Sequence, residues 1–518
     1  TLSSSSAASD VYKRQRWERS GHKDDPEFPE LKAHRIMEKS EKELLEEVLK
    51  SESDFEVSQN DRNSTEKPPL NFDLTSLQRE ANNMWSWAAK RTLSVAQELY
   101  DTHKLTTYPR TDSRHLPEDM MESISKTIRQ LGAQDKLNSH SQRLIDDGLK
   151  NVKRNFDNSK VSDHFAIIPT GKIPPSNLGA DAAKLYDLIA RQFLASFHPE
   201  SVWKVEKRTA TKDGQNFIKE ARSITTEGWR AVRPKNQNLP DGWGTIPSNP
   251  APAKLESHEF KEQNTKPVGR LKEAGLLRLM EHAGKKIEDE DMAAAMKGKG
   301  LGTPATRADT IEKLISREFI GRGKGGSLRA TAHGIKMIDI LRRIPVEWIT
   351  SAELTGDMES KLDGVQKGTH KRDSYMGTIR EIVQEMVDKI RDHDRSELYA
   401  KDAPLGSCPL CAANIGETVL SYICEKNEGR DKGCSFVMWK DASGRWFDRN
   451  TTTRLLENKT IEKLHGFFSR DGSPYEVSVS IGDDGKVNIA GSNAETTSSD
   501  DEELCPCPKC DQGVIRIG

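Results

Sequence analysis

The 518-residue sequence has no cysteine before Cys408, and its seven cysteines then fall at short spacings. With no secretory apolar core near the start, that pattern excludes a disulfide framework and points to metal ligation. No apolar stretch is long enough to span a bilayer, which excludes a membrane-embedded helical protein. An excess of one charge is also missing: 79 Lys and Arg stand against 81 Asp and Glu, a formal net charge of −2. That balance neither demands nor excludes nucleic acid, since binding follows local patches, and the acidic groups at Asp483-Asp484 and Asp500-Asp501-Glu502-Glu503 mask some basic character upstream. The glycine-rich stretches 297–302 and 321–326 do not complete a Gly-x-x-x-x-Gly-Lys-[Ser/Thr] loop, so they give no support to nucleotide-driven chemistry.

The ends read as internal. Thr1 is not an initiator Met, and residues 1–15 read as a translated sequencing adapter, or alternatively as a Ser/Ala leader; either is set aside from the fold. The other end stops in mid-motif, shortly after Cys505-Pro506-Cys507-Pro508-Lys509-Cys510. The expectation is an internal piece of a longer protein.

A chain of this length holds several domains, each able to bury a core, and the pattern is that of a multidomain α+β protein. Helical sequence around residues 41–50 passes into a polar loop, and Pro68-Pro69 breaks the chain before a long helical region. There Leu93, Ala96, Leu99 and Tyr100 form an apolar stripe at helical spacing. Residues 202–232 shift to strands with turns at Asp213-Gly214 and Glu227-Gly228, and 239–254 reads as a connection or edge. From Leu271 the pattern is helical again, with Ile379, Ile382, Val383, Met386, Val387 and Ile390 along one face, read as core.

The most informative segment is Tyr108-Pro109-Arg110-Thr111-Asp112-Ser113. A phenol is a poor nucleophile at neutral pH, its unperturbed pKa being about 10. Cationic neighbours favour the phenolate, and the planar fork of an arginine can hold a phosphate with two parallel hydrogen bonds. A bare Tyr-x-Arg would otherwise be an ordinary surface turn. Cys408-Pro409-Leu410-Cys411, with Cys424 and Cys434, supplies four thiolates suited to a tetrahedral structural zinc, although the second pair is widely spaced and a ribbon that has lost its metal would look alike. Tyr422, Phe436, Trp439, Trp446 and Phe447 among basic residues would stack single-stranded bases or form that ribbon's core. Thr306 opens an apolar helix with Asp309 at capping-box spacing, next to Gly300, Gly302 and Arg307; this is an ordinary capped helix and also a natural phosphate site.

Residues 99–114 closely resemble the active-site segment of type IA DNA topoisomerases, nearest to the bacterial topoisomerase III branch. Two further blocks match in the family's order. Asp163-His164-Phe165-Ala166-Ile167-Ile168-Pro169-Thr170 is similar to its His-x-Ala-Ile-x-Pro-Thr block, with Phe165 in place of a second His. Gly300-Leu301-Gly302-Thr303-Pro304-Ala305-Thr306-Arg307 is similar to its Gly-x-Gly-x-Pro-[Ser/Ala]-Thr block. The resemblance implies a gate arch over residues 16–76 and 196–265, a helical domain carrying the nucleophile over 77–195, and a helical groove domain for single-stranded DNA over 266–397. A zinc-ribbon-like module over 398–493 and an acidic linker into a second cysteine module over 494–518 would follow. It implies catalytic roles for Tyr108, Arg110 and His164, with Asp163 orienting the His164 ring, and DNA contacts from Lys104, Arg114, Gly300, Gly302, Thr306 and Arg307. The reaction implied is ATP-independent breakage and rejoining of single-stranded DNA through a 5′-phosphotyrosyl link, relaxing or decatenating DNA. The family's TOPRIM domain, which holds Mg²⁺ and a catalytic Glu, has no counterpart here, so this piece alone is expected to be inactive. The family further implies a monomer, a RecQ-like helicase partner, and a cytoplasmic, nucleoid-associated location. A non-catalytic single-strand-binding protein would explain the ribbon and groove but not Tyr108 with Arg110. A tyrosine recombinase would need a differently spaced Arg/His set.

Overall fold

The computed structural model describes residues 15–24, 31–161, 163–234, 246–263, 269–283, 300–344, 346–393, 398–399, 402–427, 433–469, 472–490, 503–506 and 514–516. The opening run 1–14 and the knuckle Cys507/Cys510 lie outside the described residues. Two compact units result, one of residues 1–269 with 303–308, the other of 270–302 with 309–518. No described helix is long and apolar enough to cross a membrane.

The first unit joins a sheet to a helical body. The sheet runs β1-β4-β3-β2-β5, built from β1 (Arg16–Glu18), β2 (Phe55–Glu66), β3 (Ser201–Lys212), β4 (Gln215–Thr226) and β5 (Ala251–Ala253), antiparallel throughout. Asp213 and Gly214, both at positive φ (48° and 77°), make the tight turn between β3 and β4 that the Asp-Gly pair predicts. The polar loop expected after the helix α1 (Lys39–Lys50) is instead the long strand β2, paired residue for residue with β3 from Glu56 to Glu66. Only Phe55 and Val57 show the alternation of a half-buried strand; beyond them, ladder hydrogen bonds and not side-chain burial hold the strand.

The helical body comprises α2 (Leu74–Trp85), α3 (Ala89–Asp101), α4 (Met121–Leu131), α5 (Asp135–Asp147), the single turn α6 (Val152–Asn155) and α7 (Ala180–Phe197). Asp73 starts α2 with a capping box, its carboxylate accepting from the Ser76 amide at 2.6 Å while the Ser76 hydroxyl accepts from the Asp73 amide at 3.1 Å. The apolar stripe Leu93, Ala96 and Leu99 of α3 packs into the same core as Phe193, Leu194 and Phe197 of α7. Burying Leu99 and Phe193 completely contributes roughly 2–3 kcal/mol each.

In the second unit, α8 (Glu273–Glu281) precedes the part of α9 (Pro304–Ser316) from Asp309 on, a short hairpin β6–β7 (Ile320–Arg322, Leu328–Ala330), and α10 (Ala332–Arg343), α11 (Ala352–Gln366) and α12 (Arg372–Asp392). The stripe on α12 is not core among the described residues: Val383, Val387 and Ile390 are exposed and the helix has no buried residue. Helical spacing of apolar residues specifies a face, and a face is buried only when an element covers it.

The cysteine module has its own core, with Ile415, Tyr422, Phe436, Phe447, Leu455, Phe467 and Val479 at its centre. Around them lie two three-stranded sheets, β10-β9-β8, built from β8 (Ile415–Glu417), β9 (Ser421–Cys424) and β10 (Val437–Trp439), and β11-β12-β13, built from β11 (Thr460–Phe468), β12 (Pro474–Ile481) and β13 (Val487–Ala490). Lys440 is buried at 1 % exposure, its ammonium 2.8 Å from the Glu417 carboxylate and 4.1 Å from the Tyr399 ring centroid. Glu417 is also paired with Arg449. The aromatic-basic mixture thus divides: Tyr422, Phe436 and Phe447 are core, while Trp439 is exposed.

Candidate functional site

The segment after α3 turns at Lys104, whose backbone is left-handed (φ 55°), and then runs beside residues 160–170. Three hydroxyl side chains tie the two together. Thr107 donates to the Ala166 carbonyl at 2.9 Å, Thr111 to the His164 carbonyl at 3.0 Å, and Ser113 to the Lys160 carbonyl at 2.7 Å. Backbone bonds reinforce the seam: the Thr107 amide donates to Ile168, and the Thr170 hydroxyl donates to the Lys104 carbonyl at 2.8 Å. Ala166, Ile167 and Ile168 are buried beneath it, which fixes where His164 emerges.

Tyr108 and His164 meet on this seam, their rings 4.4 Å apart between centroids. Tyr100 packs edge-on against the other side of Tyr108 at 5.4 Å, and the Lys104 ammonium lies 5.2 Å from the Tyr100 ring. The Tyr108 ring is thus held on two sides while remaining partly accessible. Gln97 of α3 faces the Arg110 guanidinium, and its amide is assigned oxygen-first because only donors face it there, accepting from Nη2 at 3.1 Å and from Nε at 3.3 Å. Arg110, Thr111, Asp112, Asp163, His164, Thr303, Pro304 and Ala305 line a cleft of ≈ 190 Å³, all within the first unit. Among the described residues no hydrogen bond or ion pair joins Asp163 to His164; the ring's neighbour is Tyr108.

The helix at this cleft begins one turn earlier than its sequence suggests. Pro304 takes the first helical position, which its fixed φ suits, so Thr303 and not Thr306 stands at the cap. The Thr303 amide donates to the Thr306 hydroxyl at 2.9 Å, placing Thr306 third in the helix. Pro304 has no N–H, and the Thr306 and Arg307 amides both donate to the Thr303 carbonyl at 3.0 Å, so what Thr303 to Ala305 bring to the cleft wall that they share with Arg110 is the positive end of the helix dipole. Arg307 lies behind it, 2 % exposed and donating to the Thr75 hydroxyl at 3.0 Å. Arg114 donates to the Asn71 carbonyl at 3.0 Å from outside the cleft lining. Gly300 and Gly302 group with the second unit and do not line the cleft. Gly300 has φ 63°, and a Cβ there would fall 2.3 Å from the Met280 carbonyl oxygen.

The three hydroxyl ties and Gln97 were not singled out in the sequence. Their signal was present for the hydroxyls, since Thr107, Thr111 and Ser113 bracket Tyr108 and Arg110 at positions facing one way. Nothing local marks Gln97.

Cys408, Cys411, Cys424 and Cys434 converge, with all four sulfurs within 4.8 Å of one another. Cys408 and Cys434 are 3.6 Å apart and Cys411 and Cys424 3.5 Å. Zn–S bonds of about 2.3 Å in a tetrahedron require sulfurs roughly 3.8 Å apart, so the donor set fits zinc. As thiols they differ: burial pushes Cys424 up to about 12 and raises Cys408, while the Ala413 backbone amide draws Cys411 down to about 7. Among the described residues, the one group of three or more His, Cys, Asp or Glu donors close enough to share an ion is this thiol set, and thiolates do not suit Mg²⁺.

Comparison with known proteins gives a consistent result. Residues 11–377 match the family described as DNA topoisomerase. The chain is similar to DNA topoisomerase 3 of Bacillus licheniformis, 34% identical over 374 residues, covering 69% of this chain and 50% of that protein. It is similar to DNA topoisomerase 3 of Shouchella clausii, 31% identical over 421 residues, covering 78% and 55%. The chain therefore spans about half the length of these relatives. In fold it is similar to full-length topoisomerase I from Thermotoga maritima, with a TM-score of 0.55 over 79% of this chain and 62% of that one, at 22% identity.

Proposed function

Because this chain belongs to the DNA topoisomerase family, in its type IA class, we propose that it carries the nucleophile-bearing part of an enzyme that breaks, passes and rejoins single-stranded DNA. The observation that carries the reading is Tyr108 held between Tyr100 and His164 beside a cleft lined by Arg110 and a helix N-terminus. The Tyr108 phenolic oxygen attacks the phosphorus of a phosphodiester. The bond to the 3′ oxygen breaks, a 5′-phosphotyrosyl ester forms, and the phenol's proton is released. Attack by the freed 3′ hydroxyl reverses every bond change, so the energy of the broken linkage is retained in the ester and no ATP is consumed. Arg110, beside Gln97, offers its fork to the phosphate oxygens, and the positive end of the α9 dipole adds to it as charge builds. His164 stands over the tyrosine ring to steady the phosphate.

The finer assignments belong to the same proposal. Residues 77–195 act as the nucleophile domain, 16–76 with 196–265 as the gate arch, and 266–397 as the single-strand groove, where Gly300, Gly302 and Thr306 shape the DNA path. Lys104 and Arg114 contribute backbone contacts flanking the cleft, and Arg307 supports the cleft helix from behind. The cysteine module binds one structural zinc, which would hold β8 to β10 together. A magnesium-holding domain elsewhere in the complete protein protonates the leaving 3′ oxygen, so this chain by itself binds DNA without turning over. The complete protein works as a monomer near the nucleoid, with a RecQ-like helicase as partner. The test is covalent capture on a single-stranded oligonucleotide labelled on the 3′ side of the break, using a longer protein that contains this chain. Label retained on the protein after denaturation and mapped to Tyr108 supports the reading; label mapped elsewhere refutes it.

A further inference from the structure

A second cleft on the first unit, sharing no residue with the Tyr108 site, is strongly basic. It measures ≈ 580 Å³, and Lys67, Lys150, Lys153 and Arg154 line it against the single carboxylate of Glu200. The walls are built and not incidental. Arg154 donates to the Pro68 carbonyl, which fixes its guanidinium at the mouth of the β2-to-α2 connection. Asn151, in a left-handed backbone conformation (φ 55°), donates to the His198 carbonyl at 2.8 Å. Asn155 donates to Ser196 at 2.8 Å, and the Lys150 amide to Phe197 at 2.9 Å. The backbone at Glu200 is closely packed, since a Cβ on Gly228 would fall 2.4 Å from its carbonyl oxygen. Among the described residues the Lys150 ammonium donates to a backbone carbonyl alone, that of Asp147 at 2.9 Å, and Lys67 and Lys153 are exposed.

Gathering four cations at one rigid opening raises the energy of the ligand-free protein. Burial and the neighbouring Arg114 guanidinium both bear against the charge of Arg154 and lower its pKa. A polyanion relieves that repulsion, and a carboxylate-poor, lysine-rich groove without aromatic walls suits backbone phosphates and not bases. The cleft also lies near the nucleophile along the chain. Arg114 follows Tyr108 by six residues, at most about 20 Å of extended chain. The Leu116 amide donates to the Asn155 carbonyl at 2.8 Å, which lays this segment beside Arg154.

We propose that this cleft binds the phosphate backbone of DNA beyond the segment held at Tyr108, with Lys67, Lys150 and Lys153 as mobile contacts and Arg154 as the fixed one. The proposal rests on the reading of the chain as a DNA-binding topoisomerase part. The experiment titrates the whole chain with a single-stranded oligonucleotide over a range of salt. It compares the unaltered chain, a triple variant Lys67→Ala, Lys150→Ala and Lys153→Ala, and a charge-matched control altering the exposed Lys126, Lys136 and Lys184 to Ala. Loss of three phosphate contacts lowers the slope of log K against log salt by about 2, and the control leaves it unchanged. DNA also shields the three lysines from amine acylation in the unaltered chain. A triple variant with the parent's slope, or lysines acylated equally with and without DNA, overturns the cleft while leaving the functional reading intact. An Arg110→Ala variant that still weakens binding marks that case. An unaltered chain that binds no DNA overturns both.

Discussion

Lowering the pH should loosen the helical body of the first unit through one residue, His198. It is 1 % exposed, with the His140 ring edge-on to it at 6.4 Å between centroids. Burial first, then nearby His140, pushes its pKa down to about 4. A hydrogen bond with the His140 backbone opposes the shift, Arg143 adds to it, and Asp147 opposes it. Because the folded pKa lies below the unfolded value of about 6.5, the unfolded chain takes up the proton first as pH falls. The stabilisation is complete above that value and is lost on acidification toward the folded pKa. At 1.36 kcal/mol per unit, roughly 2 kcal/mol is gone by pH 5 and roughly 3 kcal/mol by pH 4. Replacing the ring by an apolar one of similar shape removes the titration, so His198→Phe should keep near-parental stability at neutral pH and lose less on acidification. Amide hydrogen exchange on peptides from Ala180–Phe197 reads this locally, whatever the second unit does. Protection that falls equally in parent and variant between pH 7.5 and 5 would refute the reasoning, since His140, whose pKa burial also lowers, and the carboxylates would then carry the effect.

The cysteine module should bind one zinc per chain, and affinity should fall as pH falls because the thiols must ionise; metal analysis of parent and Cys424→Ser at pH 8 and pH 6 checks both. Lys440→Ala should destabilise that module by about 3 kcal/mol, leaving Glu417 buried with Arg449 as its remaining partner, as read by urea midpoints. Arg110→Lys should lower single-strand cleavage about 10²-fold or more in a longer protein containing this chain. An ammonium cannot reproduce the two bonds to Gln97 and present a fork at once.

Much of this was legible in the sequence where a residue type alone dictates geometry. The Asp213-Gly214 turn and the α3 stripe need only backbone chirality and burial to be read. The thiol spacing likewise anticipated the convergence of Cys408, Cys411, Cys424 and Cys434. What escaped depends on partners distant in sequence. Strand β2 is polar along most of its length and exists because β3 offers it a ladder. The stripe on α12 looked like core because periodicity cannot report whether anything covers it. The cap at Thr303 was hidden by the choice between two threonines, which Pro304 resolves. At the site, the blocks around Tyr108 and His164 could be matched one by one, but the hydroxyl ties that bring them together cross more than forty residues.

The central claim is that Tyr108 forms the covalent link to DNA. Tyr108→Phe removes only the hydroxyl and keeps the ring between Tyr100 and His164, so single-strand affinity should stay within about twofold of the parent, the oxygen being worth little to packing. Denaturing capture of a labelled single-stranded oligonucleotide, in a longer protein containing this chain, should then give a covalent complex with the parent and none with the variant. A covalent complex that persists in Tyr108→Phe would contradict the account.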